Sequence, residues 1–223
     1  MNKDAASGDS GRSARLLAGF VAAAVLCIVL TNYLTHPRAE AARERQMANA
    51  LASVLADTPH DNQPTDDVFA PHAVSPGPVR WRAVHRVQLE GRPVAAVLDI
   101  EALDGYSGGI GLLIGLTVEG RIIAVRVTEH RETPGLGDRI EYRRSNWIEQ
   151  FAGRSLAGPD PELDAGSGPA SVASADFDAL SGATITARAV VTAVNDGLIW
   201  FNENREQVFD NTAEQAMSDP GAS

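Results

Sequence analysis

The chain has 223 residues, of which 44% are hydrophobic and 22% charged. This length has room for one membrane anchor and one globular domain, and the composition excludes a disordered chain and a polytopic membrane protein. A net charge of −10 argues against nucleic acid as a partner, since phosphate binding needs a basic surface. A single cysteine, Cys27, and scattered histidines predict no metal, haem or iron–sulfur site. Redox chemistry would therefore need an organic cofactor.

An uncharged apolar stretch at 16–34 predicts one transmembrane helix. At 1.5 Å of rise per residue, such a helix spans roughly the 30 Å hydrocarbon core of a bilayer. An A-x-A pattern at 39–41 leaves a cleaved signal peptide as the alternative, although the apolar run is longer than a signal peptide needs. Basic residues flank the stretch equally, so the positive-inside rule does not orient it. Residues 1–15 are interpreted as a cytoplasmic tail by default.

The region 35–78 is predicted to be a stalk helix followed by a linker. Apolar residues recur at helical spacing between 38 and 57, and the chain then becomes rich in Pro, Asp and Asn. Strands begin at Val79, where apolar residues alternate with arginines. A break at 91–93 and a two-residue turn at 119–120 separate the following strands. These later strands are predicted at 94–100, 110–118 and 121–127.

Helices and loops are predicted to complete the domain. A loop with glycine and proline at 129–138 leads into a helix with four apolar residues on one face. An acidic loop follows at 157–177, and a final helix runs from Thr184 to about Glu203. The order of elements predicts an α+β fold, with the globular domain at 79–205 and a polar tail at 206–223. The four apolar residues of the first helix are Ile140, Trp147, Ile148 and Phe151.

The most informative segment is DALSGAT at 178–184, which opens the final helix. A turn of small residues at a helix start leaves backbone N–H groups unpaired at the positive end of the helix dipole. Such an end binds phosphate, and the hydroxyl of Thr184 could accept a phosphoryl group there. The alternative from the residues alone is an ordinary helix N-cap formed by Ser181 or Thr184.

This segment resembles the D-x-x-[S/T]-G-A-T signature of proteins that receive FMN from an extracytoplasmic flavin transferase. In that family the oxygen of the last threonine is bonded to the FMN phosphate, and FAD is the donor. The resemblance implies that Thr184 is the attachment residue. It also implies that Asp178 serves recognition by the transferase rather than redox chemistry.

Two further segments are similar to the flavin-binding domain of the same proteins. HRETPGLGD at 130–138 is similar to an H-x-E-T-P-G-L-G loop, and GYSGGI at 105–110 is similar to a G-Y-S-G-x-I segment. The two glycines of the first loop permit close approach to a flat ligand, and the leucine between them can cover a ring face. Its Glu and Thr could hydrogen-bond the ribityl chain or ring edge. The expected cofactor-binding residues are Tyr106, Ser107, Glu132, Thr133, Gly135, Leu136, Gly137, Ser181, Gly182 and Ala183.

From about 12 to 203 the chain resembles the G subunits of Rnf electron-transport complexes, called Rsx in some bacteria. The resemblance implies a covalent flavoprotein that relays electrons and has no catalytic residues of its own. The complex would couple electron flow between ferredoxin and NAD(H), or towards a redox sensor, to ion translocation. Other membrane subunits would be its partners, with a flavin transferase during maturation. The single-pass anchor would lie in the bacterial inner membrane, with the domain in the periplasm.

Other functions remain open from the sequence. Residues 105–109 also fit the G-x-S-x-G nucleophile elbow of hydrolases, although a strand rather than a helix is predicted to follow. The same glycines suggest a dinucleotide-binding loop, but the sequence does not have the G-x-G-x-x-G spacing that such a loop needs. A membrane-anchored binding module without redox function would use Thr184 only as a helix cap. The C subunit of a sodium-translocating NADH:quinone reductase shares the anchor and attachment motif, but such subunits tend to be longer.

Overall fold

The structure is a computed structural model that describes residues 7–56, 58–71, 77–156 and 177–210. The chain divides into two compact units, Met1–Gln46 and Met47–Ser223. Helix α1, Ser7–Val54, begins in the first unit and ends in the second. Its window Ala14–Thr31 has a mean hydropathy of 2.3 and no buried residues. By length and composition, α1 is the one helix in the described residues that could cross a membrane.

The second unit is built on a five-stranded antiparallel meander, in which strands adjacent in sequence are adjacent in the sheet. Short turns join β2 to β3 and β4 to β5, as antiparallel neighbours allow. Gly91 (φ +71°) and Gly120 (φ +86°) provide the left-handed backbone of two of these turns. The strands are β1 (Val68–Phe69), β2 (Val79–Leu89), β3 (Arg92–Ala102), β4 (Ile110–Thr117) and β5 (Ile122–Glu129).

Helices cover both faces of the sheet. Helix α2, Thr184–Phe209, packs its buried residues on one face, and the end of α1 packs on the other. Period-2 alternation divides the apolar residues of each strand between these two cores. On the α2 face the fully buried side chains include Leu98, Ile100, Ile114, Val190, Val194 and Phe201. On the α1 face they are Leu51, Val54, Leu55, Val87, Ala95, Val97 and Leu113.

The prediction of a single helix after the 129–138 loop is wrong. The structure has two short 3₁₀ helices instead, Gly137–Ile140 and Trp147–Phe151. Ser145 breaks the helical path: its hydroxyl donates to the Arg139 carbonyl (2.6 Å) and accepts the N–H of Trp147 (3.1 Å). Side-chain bonds of this kind compete with the helical backbone. The four apolar residues are nevertheless all buried.

Two elements extend beyond the bounds that the sequence predicts for them. Helix α2 continues past 205 to Phe209, because Val208 is fully buried and the ring of Phe209 packs edge-to-face on Phe201. At the other end, the predicted linker contains β1, and the carboxylate of Asp67 pairs with Arg86 of β2 at 2.5 Å. These segments therefore belong to the globular domain. The acidic loop, apart from Phe177, and the tail beyond 210 lie outside the described residues.

Candidate functional site

Helix α2 begins at Thr184, the residue singled out by the sequence. Its N-cap position is Ala183, and no side chain caps the first turn. The N–H of Ala183 is already bonded to the Leu180 carbonyl (3.0 Å), but the first-turn amides that follow have no intrahelical acceptor. The N-cap alternative, with Ser181 or Thr184 as the capping residue, is therefore not what the structure has. Thr184 is exposed, and its hydroxyl bonds to no other described residue.

A cavity of about 570 Å³ opens beside this helix start. This volume lies within the range of small-molecule and cofactor pockets. It is formed by three segments that are far apart in sequence: the 105–107 loop, the 130–138 loop and the first turn of α2. The predicted residues that line it are Tyr106, Glu132, Thr133, Leu136, Gly137, Gly182, Ala183 and Thr184. Ser107, Gly135, Ser181 and Asp178 are not among its lining residues.

Glu132 joins the three segments at the wall of the cavity. Only 4% of the residue is exposed, and both of its carboxylate oxygens accept hydrogen bonds from the protein. Oε1 accepts the N–H of Ser107 (2.9 Å), and Oε2 accepts the hydroxyl of Thr186 (2.5 Å). A buried carboxylate needs such donors, since an unpaired charge is costly to desolvate. Glu132 therefore fixes the relative position of the loops and α2.

Two glycines make room for the Glu132 side chain. A Cβ added at Gly137 would lie 2.8 Å from Glu132 Cβ and 3.1 Å from its Oε2. A Cβ added at Gly105 would lie 3.0 Å from Oε1 and closer still to the Gly108 carbonyl. The contact with Glu132 Cβ at Gly137 and the contact with the Gly108 carbonyl at Gly105 are shorter than a methyl group tolerates. Gly137 thus serves packing inside the loop as well as the approach to a ligand that the sequence suggested.

The loop after Glu132 is held by its own backbone. The Thr133 carbonyl accepts the N–H groups of Leu136 (3.2 Å) and Gly137 (2.9 Å), and the carboxylate of Asp138 accepts the Gly135 N–H (2.8 Å). Gly135 has φ +80°, a conformation that favours glycine. This turn places the Leu136 side chain, 45% exposed, at the cavity wall.

His130 fixes the start of the same loop. Its Nδ1 accepts the N–H of Glu132 (3.0 Å), so the ring proton lies on Nε2. That Nε2–H donates to Glu141 Oε1 at 2.7 Å. His130 is therefore engaged on both nitrogens and does not act on Ser107. Strand β4, and not a helix, follows the 105–109 segment, so the nucleophile-elbow alternative fails on both counts.

Asp178 lies just outside the cavity with its backbone fixed. Its N–H donates to Gln150 Oε1 (2.8 Å), and its carbonyl accepts the indole N–H of Trp147. The side chain is exposed. Its place at the surface leaves the carboxylate accessible to another protein.

The sequence reasoning missed two residues of the cavity wall, Ile185 and Thr186. Both belong to the first turn of α2, and a helical projection from Thr184 would have found them. Ile185 is 52% exposed and Tyr106 is 67% exposed. With Leu136 they give the cavity an apolar rim suited to a flat aromatic ligand.

Comparison with known proteins identifies the family. The family model described as FMN-binding domain matches residues 105–199, which include all three segments of the cavity. The G subunit of the ion-translocating oxidoreductase complex of Pseudomonas aeruginosa is 40% identical over 88% of this chain and 91% of its own length. The protein of the same name from Shewanella baltica is 34% identical over 87% of this chain and 90% of its own length. The chain belongs to this family of G subunits.

The G-subunit family and the FMN-binding domain confirm the resemblance that the three motifs indicated. The Escherichia coli K12 protein is 48% identical over 125 residues, which are 52% of this chain and 56% of its own. The predicted α+β class and the single apolar N-terminal helix are confirmed as well. One helix is long and apolar enough to cross a membrane, and the relatives are named as subunits of an ion-translocating complex. Both observations indicate a membrane-anchored protein. The cavity residues fit FMN, with unpaired amides for its phosphate and apolar walls for its ring.

Proposed function

We propose that this chain is the electron-carrying G subunit of an ion-translocating oxidoreductase complex, with FMN bound as a phosphodiester to Thr184. The observation that carries the proposal is the position of Thr184: an exposed hydroxyl on the first residue of an uncapped helix, at the wall of a cofactor-sized cavity. When bound, FMN supplies reversible electron transfer. This chain's own residues would hold and orient it.

The hydroxyl groups around the cavity are not equivalent. Thr186 is 1% exposed and its hydroxyl donates to Glu132, so it is neither accessible nor unpaired. Ser181 is exposed but does not line the cavity, and Thr133 lines it from the 130–138 loop, not from the first turn of α2. Thr184 alone combines accessibility, the cavity wall and first-turn amides. This combination supports Thr184 as the acceptor.

The first turn of α2 would hold the flavin phosphate. Its unpaired N–H groups and the positive end of the helix dipole favour an anion there, by about 0.3–1 kcal/mol for an exposed site. Gly182 has φ +82°, and a Cβ there would come within 3.1 Å of Leu136 Cδ2. A glycine therefore keeps the turn before the helix close to the ring-covering leucine. Tyr106, Leu136 and Ile185 would contact the isoalloxazine ring.

Attachment requires a second protein. The Thr184 Oγ–P bond would form at the flavin-side phosphorus of FAD as the bond to AMP breaks, and the hydroxyl proton would leave. The donor and a flavin transferase are implied by the motif, and the exposed carboxylate of Asp178, six residues before the acceptor, would be part of the recognition surface. Since such a transferase acts outside the cytoplasm, the domain would face the periplasm, with α1 in the inner membrane. The other membrane subunits of the complex would exchange electrons with it.

Intact mass and flavin fluorescence on a denaturing gel test the attachment. The full chain is co-expressed with a flavin transferase as wild type, Thr184→Ala and the matched control Ser181→Ala. We expect one FMN, less one water, on wild type and on the Ser181 variant, and none on Thr184→Ala. Covalent flavin on a folded Thr184→Ala protein would refute the site. No covalent flavin on any variant, with an active transferase, would leave a membrane-anchored binding module.

A further inference from the structure

A second, smaller groove adjoins the flavin cavity. It has a volume of about 190 Å³ and shares Ile185 with the larger cavity. One face of α2 forms one side, and the ends of β2 and β3 form the other. The groove is lined by one cation and one anion, Arg188 and Asp104. The two side chains form no ion pair with each other.

None of the described residues that line the larger cavity carries a positive charge. Glu132 is the only carboxylic acid among these described lining residues, and none of them is Lys, Arg or His. A phosphodiester carries one negative charge, and the helix dipole offsets only a part of it. A charge-assisted hydrogen bond from a cation would make a larger contribution than the dipole alone. The first basic residue of α2 after Thr184 is Arg188.

Arg188 is placed to provide that charge. It lies four residues after Thr184 on α2, which makes the two residues neighbours on the helix surface with Cβ atoms about 5–6 Å apart. Helical side chains lean towards the N-terminus, so an Arg188 side chain that follows this direction would bring its guanidinium to the first turn. Arg188 is exposed, and it makes no hydrogen bond or ion pair with any residue the structure describes. Binding an anion would thus not require it to give up a contact there.

We propose that Arg188 binds the flavin phosphate and makes the site selective for FMN over the unphosphorylated flavin. The proposal rests on the proposed function, because it assumes that the cavity holds a flavin whose phosphate lies at Thr184. Arginine suits this role, since its planar guanidinium matches two phosphate oxygens. Arg188 acts here as a positioning and selectivity residue.

Binding of two free flavins separates a phosphate contact from a structural role. The full chain is made without flavin transferase, so Thr184 is unmodified, and the Kd values of FMN and riboflavin are measured by flavin fluorescence. We expect Arg188→Gln to weaken FMN binding about 5–10-fold and riboflavin binding less than about twofold, since an exposed charged hydrogen bond is lost. Arg188→Lys should retain part of the preference. Arg92→Gln, which removes the same charge at the opposite end of β3, should change neither Kd.

The ³¹P resonance of the covalently loaded protein provides a second readout that does not depend on weak binding. We expect Arg188→Gln to move this resonance and Arg92→Gln to leave it in place. An unmoved resonance, an equal loss of both flavins in Arg188→Gln, or an equal effect of Arg92→Gln overturns the proposed role of Arg188. Wild type that binds neither flavin and takes no covalent FMN contradicts the proposed function itself.

Discussion

Glu132 and Asp99 are both buried carboxylates of the sheet domain, but their surroundings differ. Glu132 accepts two short hydrogen bonds, from a backbone N–H and a hydroxyl. Asp99, in β3, is 5% exposed, and its Oδ1 accepts no hydrogen bond from the described residues. Its nearest cation is Arg82, with Nη1 3.9 Å from Oδ1, and Arg82 is also paired with Glu101 and Glu129. One carboxylate is fixed by donors, and the other is only surrounded by charges.

The difference shows which polar groups shape the site. The donors to Glu132 come from the cavity loops and from α2, so the bonds that satisfy its charge also assemble the cavity. Burial raises the pKa of Asp99, and the nearby charges of Arg82 and His85 lower it to a smaller extent. Asp99 therefore binds a proton more readily than an exposed aspartate, and its Oδ1 holds no donor in place. Substitutions at the two positions should have very different consequences.

The largest effect is expected at Glu132. Glu132→Ala leaves the Ser107 N–H and the Thr186 hydroxyl without their acceptors, which should lower the free energy of unfolding by about 2–4 kcal/mol. Glu132→Gln can keep one acceptor and turn its amide towards Thr186, so its loss should be less than half as large. Urea unfolding followed by tryptophan fluorescence measures both. Equal losses would mean that packing, not hydrogen bonding, is what Glu132 provides.

A smaller loss is expected at the glycine that covers Glu132. Gly137→Ala places a methyl group 2.8 Å from Glu132 Cβ and should destabilise the domain by about 1–3 kcal/mol. It should also weaken flavin binding, because the loop must move away from Glu132. Gly135→Ala is the matched control: it has open space around it and loses only what its φ of +80° costs, about 1 kcal/mol. If Gly135→Ala lowers the free energy of unfolding more than Gly137→Ala, the close contact between Gly137 and Glu132 is not important for stability.

Asp99→Asn should have little effect near neutral pH. Replacing a buried charge that lacks good partners is often neutral or stabilising, so the free energy of unfolding should stay within about 1 kcal/mol of wild type. The covalent flavin content should not change. A loss of more than about 2 kcal/mol would show that Arg82 and Asp99 form a stronger pair than their 3.9 Å separation indicates.

The smallest effect is a difference in pH dependence. The pKa of Asp99 is raised in the folded state above 3.8. At a pH between the unfolded and the folded pKa, the protein therefore takes up a proton at Asp99 when it folds. The stability from that proton is fully present below the unfolded pKa and is lost as the pH rises through the folded pKa. Wild type should therefore gain stability relative to Asp99→Asn as the pH falls towards about 4. The charged groups near Asp99 are Arg82, His85, Glu101 and Glu129.

Urea unfolding of both proteins at several pH values tests this sign. Glu149→Gln, at an exposed carboxylate, serves as the control and should show no such divergence from wild type. A wild type that loses stability relative to Asp99→Asn on acidification would mean that the charged carboxylate is the favoured form in the folded state.

The sequence predicted the parts of the fold that local patterns determine. The turns at Gly91 and Gly120 and the start of α2 at Thr184 follow from glycine positions, alternation and helical spacing, and the structure has them there. The helix after the loop was predicted wrongly because apolar spacing does not reveal that Ser145 bonds to the backbone. Strand β1 was missed because two residues carry no periodic signal, and only pairing with β2 makes them a strand.

The sequence predicted most residues of the candidate site but not the hydrogen bonds between them. The motifs drew attention to most residues of the cavity wall, since each has a recognisable pattern of small and polar residues. They could not show that Glu132 is satisfied by Ser107 and Thr186, because those partners lie 25 and 54 residues away in sequence. Burial and long-range partners depend on the tertiary fold. The same holds for Asp99, whose position in a strand gave no sign of its burial.

Peptide mapping of the flavin is the most direct test of the central claim, that the fold makes Thr184 the acceptor and not its neighbours. Trypsin cleavage after Arg154 and Arg188 releases 155–188, which contains Thr184, Thr186 and Ser181. Fragmentation of this peptide from transferase-matured wild type should locate one FMN phosphodiester on Thr184. Flavin on Thr186, on Ser181 or on the separate peptide that carries Thr133 would contradict the account.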